Sequence, residues 1–267
     1  MLCDAHCHPA DLARPEPDAE GRRLALGVSC ASSATTLAEF EFCEALSGKA
    51  VPLYPCFAVH PQMPRRLAER PGEFPTVDEG LRILDLLGRE GRLSGVGETG
   101  FDLYDAGFRA SEAVQDLLFA EHLAAALRYG LPLVLHVRRA MHKVFARSRD
   151  LARCRSVIFH SWSGTPGEGR SLLGRGINAF FSFGTGVALN HKEAMRCAAL
   201  LPADRLLTET DSPYQPLRGS AFSTYGDLPA ILEVMAALRR NAESPAETVE
   251  GLESVIAGNF RSVFESC

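Results

Sequence analysis

The chain has no apolar run long enough to span a bilayer, which sets aside an integral membrane protein. Its N-terminus lacks the basic region and apolar stretch of a secretory signal, so a cytoplasmic location is expected. Positive charge is in deficit. With 28 Lys and Arg against 33 Asp and Glu, the formal net charge is −5. No global basic field exists to hold long nucleic acid by its phosphates, so such a substrate would be gripped locally or through a metal. None of the eight cysteines forms a Cys-x-x-Cys pair, which argues against a zinc ribbon and for reduced, mostly buried thiols. The glycines of "GVGETG" lack the Lys-Ser/Thr of a phosphate-cradling loop.

What the sequence does have is regular alternation. Short β-rich runs occur at "LCDAHCH", "LALGVSC", "VPLYPCFAVH", "LSGVGE", "LPLVLHV", "RSVIFHS", "INAFFSF" and "RLLTETD". Helical patterns lie between most of them. "TVDEGLRILDLLG" carries Thr76 and Glu79 at capping-box spacing with Gly88 as a stop, and "SEAVQDLLFAEHLAAALRYG" closes on Gly130. "ATTLAEFEFCEAL", "RAMHKVFARSRDLAR" and "HKEAMRCAALLP" follow the same logic, as does "DLPAILEVMAALRRN"; a last helix is expected from a Ser244 cap. "HPQMPRRLAERPGEFP" and "DSPYQPLRGSAFSTYG" read as extended loops. Eight strands alternating with eight helices predict an α/β fold, a (β/α)8 TIM-type barrel forming one domain over residues 1–267. A doubly wound open sheet is the rival.

The chemistry starts at "DAHCH". Along a strand, His6 and His8 point to one face, with Asp4 a step deeper and Cys3 and Cys7 turned away. Two imidazoles buried side by side without partners are costly, which favours a metal-ligand role over plain packing. Glu98, His136, His160 and Asp211 each end a predicted strand, the position at which barrel enzymes keep their chemistry. Five agreeing strand ends favour the closed barrel, because only a ring points them all at one centre.

The segments "DAHCH", "FAVHP", "GVGETGFD", "LPLVLHVR", "VIFHSWSG", "LLTETDSPY" and "GNFRSVF", in this order, resemble the TatD family of metal-dependent hydrolases within the amidohydrolase-like barrels. "GFD", "HVRRA" and "HSWSG" depart slightly from the family's usual runs without removing a ligand. The resemblance implies two divalent metal ions, of Zn, Mn or Mg type. One would be held by His6, His8 and Asp211 and the other by His136 and His160, with Glu98 bridging. It further implies an enzyme, a 3′-5′ exonuclease-like deoxyribonuclease of single-stranded or terminal DNA. Phosphodiester cleavage would run through a metal-bridging hydroxide, with Asp211 as general base and Glu98 as the other catalytic carboxylate. A bridging hydroxide attacks carbonyl carbon as readily as phosphorus, so hydrolysis of an ester or amide, such as a lactone or a D-aminoacyl-tRNA, is an alternative. A metal-stabilised binding protein without turnover is the other.

Four further residues are candidate substrate contacts. His60 ends a strand and could touch a phosphate or support the metal centre; the bland reading is a loop anchor. Arg138, two residues beyond His136, could meet phosphate or pair with an acid. Trp162 and Tyr214 could stack on a base or merely pack the rim. Arg139 and Lys143 read as a solvated helix face, His122 as structural, and His142 and His191 as surface residues. Glu209 points inward and needs a partner that the sequence does not name.

Overall fold

The computed structural model describes residues 1–242 and 248–265. The expected Ser244 cap lies outside those residues. Eight parallel strands, β1 Cys3–Cys7, β2 Ser29–Ala34, β3 Leu53–Phe57, β4 Gly95–Asp102, β5 Leu133–Arg138, β6 Val157–Phe159, β7 Ala179–Phe183 and β8 Leu206–Thr208, pair strictly in sequence order. The seam between the last and first is closed by hydrogen bonds. Thr208 Oγ1 donates to the Cys3 carbonyl (2.6 Å), Asp211 N to the His6 carbonyl (2.9 Å), and His8 N to the Ser212 carbonyl (2.8 Å). The result is the (β/α)8 barrel that the alternation predicts, not an open sheet.

Apolar side chains fill its interior and the layer beneath the helices. Phe57, Phe101, Phe159, Phe181 and Phe183 are fully buried, and each contributes about 1.5–3 kcal/mol of transfer free energy. The helix Val77–Arg89 starts with the Thr76–Glu79 capping box, and Glu112–Tyr129 stops at Gly130 in the left-handed conformation (φ 65°). Gly88 does not stop its helix, which runs one residue further; the left-handed turn comes at Gly91 (φ 66°). His122 is structural: Val59 N donates to its Nε2 (2.9 Å), and its Nδ1 bonds the Leu118 carbonyl.

Several expected boundaries move. "LALG" ends a helix, Ala19–Leu26, closed by Gly27 (φ 66°), so β2 begins only at Ser29. The Pro-rich stretch after His60 holds a helix, Met63–Glu69, because Pro64 sits in its first turn, where the missing N–H costs nothing. "RAMHKVFARSRDLAR" forms two short helices, Met141–Ala146 and Ser148–Leu151, instead of one. The last helix, Val249–Phe264, is capped by Thr248, whose side chain accepts from Gly251 N.

Two strands carry an extra residue. Between Asp4 and Cys7, β1 advances three residues while β2 advances two, and between Val96 and Thr99, β4 does the same against β5. Such a bulge re-aims side chains. Here the bulged stretches contain His6 and Glu98. After its bulge β4 continues to Asp102, so Glu98 is not the strand end that the sequence suggests. Gly100 follows, opposite His136, at φ 131°, where an added Cβ would lie 2.2 Å from the His136 carbonyl oxygen. Gly100→Ala is therefore expected to lower stability by about 2 kcal/mol or more, read as a lower urea midpoint at unchanged m-value. An unchanged midpoint would show that β4 yields freely at this point.

Candidate metal centre

The C-terminal end of the barrel gathers five imidazoles and two carboxylates. Glu98, 3% exposed, lies at their centre. Its Oε1 is 2.6 Å from His136 Nδ1, 2.8 Å from His160 Nε2 and 3.2 Å from His60 Nε2; its Oε2 is 3.2 Å from His6 Nε2. Asp211 Oδ1 stands 3.3 Å from His8 Nε2 and 3.6 Å from His6 Nε2. Donor atoms within 4.8 Å of one another form three groups among the described residues: His6–Glu98–His160, His6–His8–Asp211 and His60–Glu98–His136. All six expected ligands are thus brought together. His60 joins them, closer to the centre than a loop-anchoring role requires.

The backbone turns sharply to achieve this. Ser161, directly after His160, and Asp211 adopt left-handed conformations with φ of 45° and 55°. Each costs of order 1–3 kcal/mol and persists because its surroundings hold it. Asp4, one step below His6, does not join the centre. It accepts from Thr210 N (3.0 Å), Thr210 Oγ1 (2.6 Å) and His6 N (3.2 Å), so it holds the two ligand-bearing segments against each other. Burial pushes its carboxyl up to about 8. Cys3 and Cys7 pack into apolar clusters away from the centre.

Other side chains fix the candidate ligands from behind. His8 Nδ1 lies 3.1 Å from the Ser33 carbonyl oxygen, and His136 Nε2 lies 3.1 Å from Asp102 Oδ2. Asp102 also receives Gln62 Nε2 (2.7 Å), Tyr104 N (3.0 Å) and Arg138 (3.2 Å). It lies four residues beyond Glu98 in "GETGFD", and sequence reasoning missed it because the bulge in β4 breaks simple alternation. Glu209 finds its partner here: Ser161 donates to Oε1 from N (2.8 Å) and Oγ (2.7 Å), and His160 Nδ1 is 3.6 Å away. Gln215, also missed, donates from Nε2 to both Asp211 Oδ2 (2.6 Å) and Ser161 Oγ (2.7 Å).

The expected substrate contacts fare differently. Arg138 is half-exposed, bound to Asp102, and stacked over Tyr104 at 4.2 Å, with Arg139 at 4.5 Å from the same ring. Its guanidinium is thus tied to an acid. Tyr214 is 45% exposed, meets the His8 ring edge-on at 5.2 Å and donates its hydroxyl to Asp11 (2.9 Å). Trp162 is no rim platform. It is 4% exposed and packs edge-to-face against Phe159 and Phe181, because the chain turns it back onto β6 and β7. Lys143 pairs with Asp116 and Glu112, while His142 and His191 are exposed.

Charge balance tests whether metal ions fit. If His136 donates Nε2–H to Asp102, a neutral ring leaves the Nδ1 lone pair 2.6 Å from a carboxylate oxygen, and two lone pairs at that range repel. His6 Nε2 is buried with no hydrogen bond. Burial opposes a charged imidazole throughout. It prevails at His6 and at His60, which falls to about 4, whereas the carboxylates prevail at His8, His136 and His160, all raised. Burial also pushes Glu98 up, but the imidazoles, His160 foremost, hold it well below the carboxylate range. The pocket draws in positive charge, and divalent cations ligated by imidazole and carboxylate match that demand. Glu98→Ala removes the oxygens facing four of the five imidazoles. It should cut bound metal to less than half of wild type by elemental analysis; full retention would contradict the central position of Glu98.

Comparison with known proteins accords with this geometry. Residues 3–265 match the family model described as TatD related DNase. The chain is 34% identical over 142 residues to a protein of Cronobacter sakazakii named 3′-5′ ssDNA/RNA exonuclease TatD, covering 51% of this chain and 52% of that protein, about half of its length. It is 32% identical over 192 residues to a metal-dependent hydrolase, TatD, of Mycobacterium tuberculosis, covering 70% and 69%. The crystal structure of YjjV, a TatD homologue from Escherichia coli, superposes with a TM-score of 0.82 at 25% identity over 100% of this chain and 98% of that one. Matched from residue 3 to residue 265, with the ligand types of a metal-dependent hydrolase at one barrel end, the chain belongs to the TatD-related DNase family.

Proposed function

We propose that the chain, residues 1–267 acting as one domain, is a metal-dependent phosphodiesterase. Its reaction on this reading is that of a TatD-type deoxyribonuclease trimming single-stranded or terminal DNA from the 3′ end in the cytoplasm. The observation that carries the reading is the single carboxylate, Glu98, faced by imidazoles from four parts of the barrel. His6, His8 and Asp211 would hold one divalent ion, His136 and His160 a second, with Glu98 shared. Such ions, of Zn, Mn or Mg type, lower the pKa of water and neutralise charge on phosphate oxygens. The net charge of −5 accords with a substrate gripped at one terminus, not along a groove. The seven described cysteines are all free, as a reducing compartment requires.

The chain's own residues divide the remaining work. Asp211 Oδ1 faces His6 and His8, which leaves Oδ2 to take the proton of the attacking water. Gln215 touches that oxygen, and its amide offers an oxygen as well as N–H groups, so it can face either protonation state. Asp102 and Glu209 hold His136 and His160 in register, as carboxylates behind ligating imidazoles do. Tyr214, exposed beside His8, offers a ring to a terminal base. Among the described residues no helix is long and apolar enough to cross a membrane.

A second reading, hydrolysis of a carboxylic ester or amide, is favoured by one observation: Arg138, the cation nearest in sequence to the ligands, is already bound by Asp102. Arg138→Ala separates the two. For phosphate chemistry it should lower kcat/KM on DNA by about tenfold or more, with little change on a small ester. An unchanged DNA-to-ester ratio at equal melting temperature would remove Arg138 from the site. Asp211→Asn keeps an oxygen ligand but loses the base. It should lower kcat by about 10²-fold or more in metal-replete protein, and near-normal kcat would end the general-base role.

A further inference from the structure

The proposed reaction leaves a guanidinium near the barrel mouth without a task. Arg66 belongs to the helix Met63–Glu69 that follows His60, and it is partly buried. Among the described residues no carboxylate pairs with it. Its neighbour Arg65 takes Glu69 (2.7 Å) and Asp105 (3.1 Å), while Asp102 is held by Arg138 (3.2 Å). The position of Arg66 is nevertheless built from the metal centre outward. Asp102 only accepts, so the Gln62 amide must give it an N–H (2.7 Å) and turn its oxygen away. Arg66 donates to that oxygen from Nη2 (3.2 Å). The backbone N–H of Gln62 donates to His60 Nδ1 (3.1 Å). One residue therefore ties the guanidinium to His60 and to the carboxylate behind His136.

The charge on Arg66 is felt at two residues of the site. Burial foremost lowers His60, and Arg66 adds to that shift. At Tyr214, where burial foremost raises the hydroxyl, Arg66 acts in the opposite sense. The guanidinium thus stands within electrostatic reach of residues at the ends of β3 and β8. Gln62 occupies one of its donors and leaves most of the others free, in the planar fork that matches phosphate oxygens. It lies one amide beyond Asp102, which is itself behind His136, so it stands outside the shell where the scissile oxygens would meet the ions. We propose that Arg66 binds the phosphate flanking the scissile bond on its 5′ side. A substrate would then need two phosphates, and so three nucleotides, for full affinity. One preset, unpaired cation would let a chain of net charge −5 select a nucleic-acid strand over a lone diester. This inference rests on the phosphodiester reading above, but the binding it requires can be measured without turnover.

A pair of DNA trinucleotides tests this by calorimetric binding to the full-length protein, with and without added Mn²⁺. Both carry an uncharged methylphosphonate at the 3′-terminal linkage, where cleavage would occur. One keeps a natural phosphate at the next linkage, and the other carries a second methylphosphonate there. Wild type should bind the first more tightly than the second by about tenfold or more. Arg66→Gln should bind both alike at an unchanged melting temperature. Arg66→Lys keeps the charge without the fork and should retain part of the difference. Equal binding of the two by wild type, or a full difference that persists in Arg66→Gln, would overturn the proposal. If natural DNA is trimmed but the two trinucleotides bind alike, the Arg66 assignment alone falls. If they differ as expected but no natural DNA is cleaved, the phosphodiester reading falls and the flanking-phosphate role falls with it.

Discussion

One buried carboxylate surrounded by imidazoles sets the terms for the rest of this molecule. Glu98 is shut away from water at the top of the barrel, with nitrogens of His136, His160, His60 and His6 within 3.2 Å of its oxygens. A lone carboxylate in such a place would protonate, and a neutral His136, held between Glu98 and Asp102, would turn a lone pair on one of them. Positive charge inside the cluster relieves that clash. Protons can supply that charge in part, as the raised His8, His136 and His160 indicate. Divalent cations bound by these groups would supply it more fully.

Much of the local architecture serves this constraint. The extra residues in β1 and β4 fall where His6 and Glu98 must be turned toward each other. Gly100 lets β4 pass close to the His136 carbonyl. The barrel seam is closed by bonds between the segments that carry the candidate ligands, Asp211 N to the His6 carbonyl and His8 N to the Ser212 carbonyl, with Asp4 gripping Thr210 below. Fold closure and site assembly are therefore one event, and a change that loosens the seam also loosens the ligands. Behind the centre, Asp102, Glu209 and Gln215 form an outer ring of polar groups that fixes ring orientation and carboxylate facing.

The sequence revealed the barrel because strand–helix alternation has a strong period, and it singled out the six candidate ligands that the fold brings together because each is a rare polar type at the end of an apolar run. His6 and His8 needed only the two-residue repeat of a strand. What stayed hidden depends on contacts between distant segments. Asp102 lies beyond a bulge that no local pattern announces. Gln215 sits in a loop and matters only because Asp211 and Ser161 converge on it. Trp162 follows a ligand-bearing strand and so looked like a rim residue, yet the left-handed turn at Ser161 sends it back onto Phe159 and Phe181. Helix boundaries moved where one residue outweighed the pattern, as Gly27 does before β2 and Pro64 does after β3.

The claim that this cluster requires cations is tested most directly by thermal stability. The chain stripped with chelator should be titrated with Mn²⁺ or Zn²⁺ at pH 7 while its melting temperature is followed. Ions that bind only the folded centre add RT ln(1 + [M]/Kd), about 2.7 kcal/mol at a hundredfold excess over Kd. The melting temperature should therefore climb steadily with the logarithm of metal concentration. A melting temperature that stays flat across the titration would contradict the account.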